Sequence, residues 1–206
     1  MKNVKIVVGK NEEKLISFVW IGGNFMLPRS LASEAQTSVK VGNEINLNVD
    51  LVGDGASLKL IGIFLGTGKS SVIFNTNVIH KAPHTKSLTH IRGVFYGSSN
   101  FNNDGMVHIA KGAKGADGYF ASKILLFDDA KGRSVPSLEI DENDLKAGHA
   151  STVGRPDNQQ LFYLRSRGLS EKEAEKIIVK GFFESSIKML EVSDQKKIKK
   201  QLLKSL

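Results

Sequence analysis

Up to about Thr152 the chain is filled by short runs in which β-branched and aromatic residues alternate with polar ones. Residues 4–8, 15–21, 39–41, 45–51, 58–64, 71–74, 78–80, 92–96, 106–109, 123–127 and 137–140 read as strands of this kind. Gly, Asn, Asp and Ser punctuate them, as in Gly53-Asp54-Gly55 and Asn102-Asn103-Asp104-Gly105. No helical period lies between the strands, which argues against a Rossmann-type alternation. Many short strands with turn signals predict a sandwich, a barrel or a β-solenoid.

The period then changes to that of helices. Asp157 with Gln160 reads as a capping pair for a helix over 158–167, and Gly168 ends it. Ser170 with Glu173 is a second capping box. The helix it opens carries Ala174, Ile177, Ile178, Phe182, Phe183, Ile187 and Leu190 as a broad apolar face. Gly181 inside it costs about 1 kcal/mol relative to Ala, which predicts close packing there. A last helix from about Asp194 puts Ile198, Leu202 and Leu206 on one side. The reading is a β domain over 1–152 and a helical subdomain over 153–206, joined at 153–156.

Composition removes whole classes of chemistry. The 206 residues include no cysteine, so the chain offers no disulfide, thiolate nucleophile or Cys-ligated metal. Its 40% hydrophobic and 24% charged residues suit a globular core and exclude disorder. No apolar run approaches the roughly 20 residues of a membrane span. The start has too short an apolar stretch for a signal peptide, so the cytoplasm is the expected location. The net charge of +8 invites a nucleic-acid reading. Nine lysines against six acidic residues fall in 171–206, densest at Lys196-Lys197-Ile198-Lys199-Lys200. A solvated helix face explains that cluster, and a phosphate or an acidic partner is the alternative. Basic and aromatic residues are not interleaved as a stacking platform needs, so nucleic acid is not expected.

Local motifs are weak. Gly66-Thr67-Gly68-Lys69-Ser70 imitates a phosphate loop, but the position five before Gly68 is Ile63, and strands flank it on both sides. A β-turn is the plainer reading. His80 and His84, with a nearby carboxylate, are a possible metal pair, although Pro83 between them favours a turn. Glu139, Asp141, Glu142 and Asp144 lie close in sequence to His149 and Ser151, so a Ser/His/acid set can be drawn on paper. Ser151 lacks the glycine-flanked elbow that such a nucleophile uses. Paired carboxylates for sugar hydrolysis are formally present, yet only 7% of residues are aromatic and Trp20 is the single tryptophan.

One stretch carries a family resemblance. It runs through Pro-Ser-Leu-Glu-Ile at 136–140, Asp-Leu-Lys-Ala-Gly-His-Ala-Ser-Thr-Val-Gly-Arg at 144–155, and Gln-Leu-Phe-Tyr-Leu-Arg-Ser-Arg-Gly-Leu at 160–169. These resemble the C-terminal signature of the SufB/SufD family, scaffold subunits of the Suf iron–sulfur cluster assembly machinery. Glu173-Ala174 and Gly181-Phe182 continue the match. Upstream, the stretch 80–87, Arg92-Gly93-Val94 and Lys123-Ile124-Leu125-Leu126 resemble the preceding coils. The match covers roughly 79–190, and residues 1–78 are merely consistent with it.

The resemblance implies a right-handed parallel β-helix, or solenoid, with a small C-terminal helical subdomain. It implies a non-catalytic scaffold that docks a SufC-type ABC ATPase on its helices and pairs through the β-helix with a SufB-like or an identical chain. Phe162, Arg165, Arg167, Phe182 and Phe183 are the implied docking residues, and packing on the β-helix is their alternative use. The SufB-like pattern has a glutamate after the signature histidine and a cysteine before the Pro-containing strand. Here Ala150 follows His149, and the turn reads Asp-Asp-Ala-Lys-Gly-Arg at 128–133. Both departures point to the SufD-like branch and make His149 the candidate cluster, metal and interface residue. No cofactor is expected to bind tightly to this chain alone, only a transient cluster shared with a cysteine-bearing partner. Family members carry a long N-terminal region, whereas this chain begins almost at a strand. The first coil is therefore expected to be covered by a partner or a second copy, against which a monodisperse monomer in light scattering would count. A polysaccharide-acting β-helix enzyme and a paralogue retained as an interaction module are the alternatives.

Overall fold

Apart from one short antiparallel strand, every strand of the protein pairs in parallel with the next strand of its own sheet, and this rule generates the architecture. The computed structural model describes residues 2–26 and 43–206. Sheet A stacks β1 (Lys2–Val8), β4 (Glu44–Leu51), β6 (Ser71–His80), β8 (Asn100–Ile109) and β10 (Lys131–Ile140) in that order. Sheet B stacks β2 (Glu13–Ile21), β5 (Ser57–Gly66), β7 (Lys86–Phe95), β9 (Ala116–Leu126) and β11 (Leu145–Gly154). The short β3 (Asn24–Met26) adds antiparallel to β2 at one edge. The chain alternates between the sheets, so the result is a parallel β-solenoid of about four turns.

Register makes the repeat visible. Ile45 lies opposite Phe74, and Ser71 opposite Asn100, so one coil takes 29 residues. Lys86 lies opposite Asp117, a step of 31, because the chain takes two more residues from Ile109 to Asp117 than from their partners His80 to Lys86 one coil earlier. The predicted runs at 71–74 and 78–80 are one strand, β6. The Asn75-Thr76-Asn77 between them looks like a turn in sequence. Here the Asn75 amide donates to Asn46 Oδ1 at 3.0 Å and the Asn77 amide to Asn48 Oδ1 at 3.5 Å, so these side chains ladder across sheet A. The expected strand at 39–41 lies outside the described residues.

Alternation places every second side chain inside. Phe18, Phe64, Phe74, Phe95 and Phe101 are fully buried there, with successive ring centroids 5.1–5.2 Å apart and tilted. Gly105 supports this packing. A Cβ there would come within 2.2 Å of the Phe120 ring, so Gly105→Ala is expected to cost about 1–3 kcal/mol through overpacking.

Three helices follow: α1 (Asn158–Ser166), α2 (Glu171–Ile187) and α3 (Val192–Ser205). Asp157 caps α1 by accepting from the Gln159 N–H at 2.8 Å; Gln160 makes no reciprocal bond, so the expected pair is a single cap. The Ser170–Glu173 box is complete. On α2 the buried residues are Ala174, Val179, Phe183, Ser186 and Ile187, while Ile177, expected inside, is 45% exposed. Val179, Phe183 and Ile187 pack with Leu190, Ile198 and Leu202 over Val19, Ile61, Ile63, Leu65 and Val94 on the outer face of sheet B. Gly181 does not pack closely. It is exposed and a Cβ there meets nothing within 4 Å, so Gly181→Ala is expected to stabilise by about 1 kcal/mol. Urea denaturation of both glycine variants checks the pair, and the reverse ordering would contradict this packing. Among the described residues no helix is long and apolar enough to cross a membrane.

Candidate functional site

The last coil is where the stacking rule stops. β10 and β11 are the terminal strands of their sheets, so their inward positions have a coil on one side and solvent on the other. On β11 the inward column positions are Leu145, Ala147, His149, Ser151 and Val153, set by register on Ala116, Gly118, Phe120, Ser122 and Ile124 of β9. His149 ends a column that runs Ile16, Leu60, Thr89, Phe120, His149. The first four are buried and His149 is exposed. An imidazole thus stands at the open mouth of the solenoid where the pattern would otherwise place a core residue.

Its surroundings mix apolar and hydroxyl groups. Leu138, Leu145 and Val153 are half-buried, whereas their counterparts one coil earlier, Val107, Ala116 and Ile124, are buried. Ser122 Oγ lies 2.6 Å from Ser134 Oγ and 3.1 Å from Ser151 Oγ, and Ser134 donates to Asn103 Oδ1 at 3.1 Å. Asn103 in turn donates to the Phe74 carbonyl, so a polar chain leads from the interior to the open end. The sequence reading missed this chain, because Ser122, Ser134 and Ser151 converge through register alone. Among the described residues no strand pairs with the outer edges of β10 and β11, whose backbone N–H and C=O groups are a template for another strand.

The second feature is α1. None of its residues is buried; Phe162 is 75% and Tyr163 57% exposed. The Arg167 guanidinium lies 5.2 Å from the centre of the Tyr163 ring, and Arg165 sits in the last turn. Phe182 is half-buried, with the Arg92 guanidinium 5.7 Å from its centroid. Phe183 is 1% exposed and belongs to the packing of α2 on sheet B, so it offers nothing to a partner. The five expected docking residues therefore divide: Phe162, Arg165 and Arg167 on the free helix, Phe182 at its margin, Phe183 inside.

A model of the SufBD core domain of the SUF iron–sulfur cluster assembly system matches residues 31–182. The chain belongs to the SufBD family. Among curated relatives, the iron–sulfur cluster assembly protein SufD of Bacillus subtilis is 34% identical over 164 residues, 79% of this chain and 37% of that protein. A SufBD family protein of Mycobacterium leprae is 32% identical over 167 residues, 75% of this chain and 43% of its own. The chain spans about two fifths of the length of these curated relatives.

Against that SufBD frame the local motifs resolve. Gly66–Ser70 is a turn between β5 and β6, with the Ser70 N–H bonded to the Thr67 carbonyl and φ of +63° at Gly68. His80 and His84 do not converge. His80 is buried between Thr85 Oγ1 and Ser87 Oγ, both at 2.8 Å, while the exposed His84 pairs with Asp54 at 2.9 Å. No Ser/His/acid set forms: Ser151 bonds Ser122 and the Ser134 carbonyl, and Glu139 and Asp141 gather at His108 rather than at His149. The groove on the outer face of sheet A is lined by Asn46, Asn75, Asp104, His108 and Glu139, among others, and holds no aromatic residue for a sugar to stack on.

Proposed function

We propose that the chain is a non-catalytic scaffold for iron–sulfur cluster assembly that pairs through the open end of its solenoid and docks an ATPase on α1. The observation that carries this reading is His149, placed by register on an interior column yet exposed at the mouth of the last coil. An exposed imidazole there can ligate iron, which accepts nitrogen donors. The nearby hydroxyls are weak metal donors and the chain has no thiolate, so a cluster, as cargo, needs cysteine from across the interface. That requirement favours a SufB-like chain over a second identical copy. The ATPase of SufC type would meet Phe162, Tyr163, Arg165 and Arg167, whose side chains are committed to no core.

The test is capture of the tagged full chain from its own cells, with bound proteins identified and iron assayed. A SufC-type ATPase and a SufB-like chain are expected with the unaltered protein. Phe162→Ala with Arg165→Ala should lose the ATPase and keep the SufB-like chain. His149→Ala should keep both proteins and lose most of the iron. Recovery of neither protein by the unaltered chain would remove the assembly role.

A further inference from the structure

The outer face of sheet A carries a cluster that the scaffold reading does not use. His108 on β8 and Glu139 on β10 are direct partners in the parallel ladder. Asp141 lies two residues beyond Glu139, so it points to the same side, and its N–H bonds the Ile109 carbonyl. His108 and Glu139 are therefore held within the sheet, and Asp141, the first residue past β10, is tied to it by that bond. One ligand atom from each lies within 4.8 Å of the other two, and His108 Nε2 is 2.9 Å from Asp141 Oδ2.

We propose that His108, Glu139 and Asp141 bind a divalent transition-metal ion that ties the last coil to the one before it. A first-row ion with ligand bonds of about 2.1 Å sets neighbouring donors roughly 3–4 Å apart, which these side chains reach by rotamer adjustment. One imidazole with two carboxylates suits zinc, cobalt, manganese or iron(II) better than calcium or magnesium, which prefer oxygen alone. Neither Glu139 nor Asp141 has a lysine or arginine at ion-pair distance among the described residues, so no fixed cation competes for their oxygens. Space supports the site too: His108 and Glu139 border an open groove of about 410 Å³, room for the waters that complete a coordination shell. On binding, the ion takes Nε2 in place of the His108–Asp141 hydrogen bond, and the neutral imidazole carries its single proton on Nδ1 instead, exchanged through solvent. Because the ligands come from β8 and β10, the bound ion staples a terminal strand whose other edge is unpaired.

The probe is cobalt(II) added to the full-length protein, read by its ligand-field absorbance, with zinc followed by calorimetry and thermal unfolding. One ion per chain is expected, with a higher unfolding midpoint in zinc. His108→Ala should weaken binding roughly 10-fold or more, Glu139→Gln and Asp141→Asn should weaken it less, and His149→Ala should leave it unchanged. Circular dichroism should show all four variants folded, since the substituted side chains support no core. Absence of binding, or binding unaltered by His108→Ala, overturns the site. Binding that disappears with His149→Ala alone also overturns it, by moving the ion to the open end, and leaves the scaffold reading standing.

Discussion

Phe183→Ala is expected to lower the stability of the protein by about 3–5 kcal/mol, the cost of removing a buried aromatic ring and leaving its cavity. The ring is 1% exposed, touches Phe182 edge-on at a centroid distance of 5.5 Å, and belongs to the apolar layer between α2 and sheet B. That layer is unusual for a solenoid strand. From Leu60 on, both faces of β5 are buried, with Leu60 and Phe64 in the interior and Ile61, Ile63 and Leu65 beneath the helices. Phe162→Ala is the matched control. Its ring is 75% exposed, so truncation should move stability by less than about 0.5 kcal/mol. Urea titration of the two variants decides the matter, and a loss under 1 kcal/mol for Phe183→Ala would mean that α2 is held by something else. The same layer governs how docking is tested. Cutting the chain after Gly168 would strip sheet B of α2 and α3 and expose Val19, Ile61, Ile63, Leu65 and Val94 together. A failed capture by such a fragment would report misfolding, which is why point substitutions on α1 are the sharper instrument.

Acid is expected to destabilise the fold between pH 6.5 and 4, and two buried histidines, His80 and His90, supply the effect. Burial pushes its imidazole down to about 4, against a smaller opposing influence from Thr85 and Asp117. Thr85 Oγ1 donates to the Ala82 carbonyl at 3.0 Å, so His80 Nδ1–H donates to Thr85 and Nε2 accepts from Ser87. A neutral ring satisfies both bonds, and protonation of Nε2 would set a second N–H against a hydroxyl turned the wrong way. The unfolded chain takes up a proton near 6.5, whereas the folded chain resists until about 4. Stability is therefore complete above pH 6.5 and falls as pH drops through the window, by roughly 3 kcal/mol once below 4. His90 acts in the same direction, lowered to about 4 by burial and by the charge of Arg92. Its Nε2 lies 3.1 Å from Ser186 Oγ on α2, so acid also loosens the helices from sheet B. Denaturation midpoints measured across the window should slope upward with pH, and His80→Gln should flatten the slope. An unchanged slope in that variant would assign the acid sensitivity elsewhere.

Local chemistry made much of this protein legible. The switch from period two to helical period, the Ser170–Glu173 box and the Gly168 stop act over a few residues, so they read directly from the chain. The signature from 136 to 169 was equally local, and it pointed to His149 without any view of its surroundings. The 29-residue repeat was harder. No residue type recurs at every coil, and the Asn75-Thr76-Asn77 stretch carries turn composition inside a strand. β11 was missed for a related reason: Leu145–Gly154 holds five small residues and little β-branching, and only pairing with β9 makes it extended.

What the sequence determined alone is therefore the order of elements, their caps, the absence of thiol chemistry and the family. Tertiary structure decided which side chains are free to act. His149 and Phe120 occupy the same inward column, but only one has a coil above it. Phe162 and Phe183 both lie on helices, yet only one faces an apolar sheet. His108 and Glu139 are 31 positions apart and become neighbours through a ladder whose register no short window contains. Propensity and capping are short-range and survive in any fragment, whereas burial and convergence depend on where each coil lands against the next.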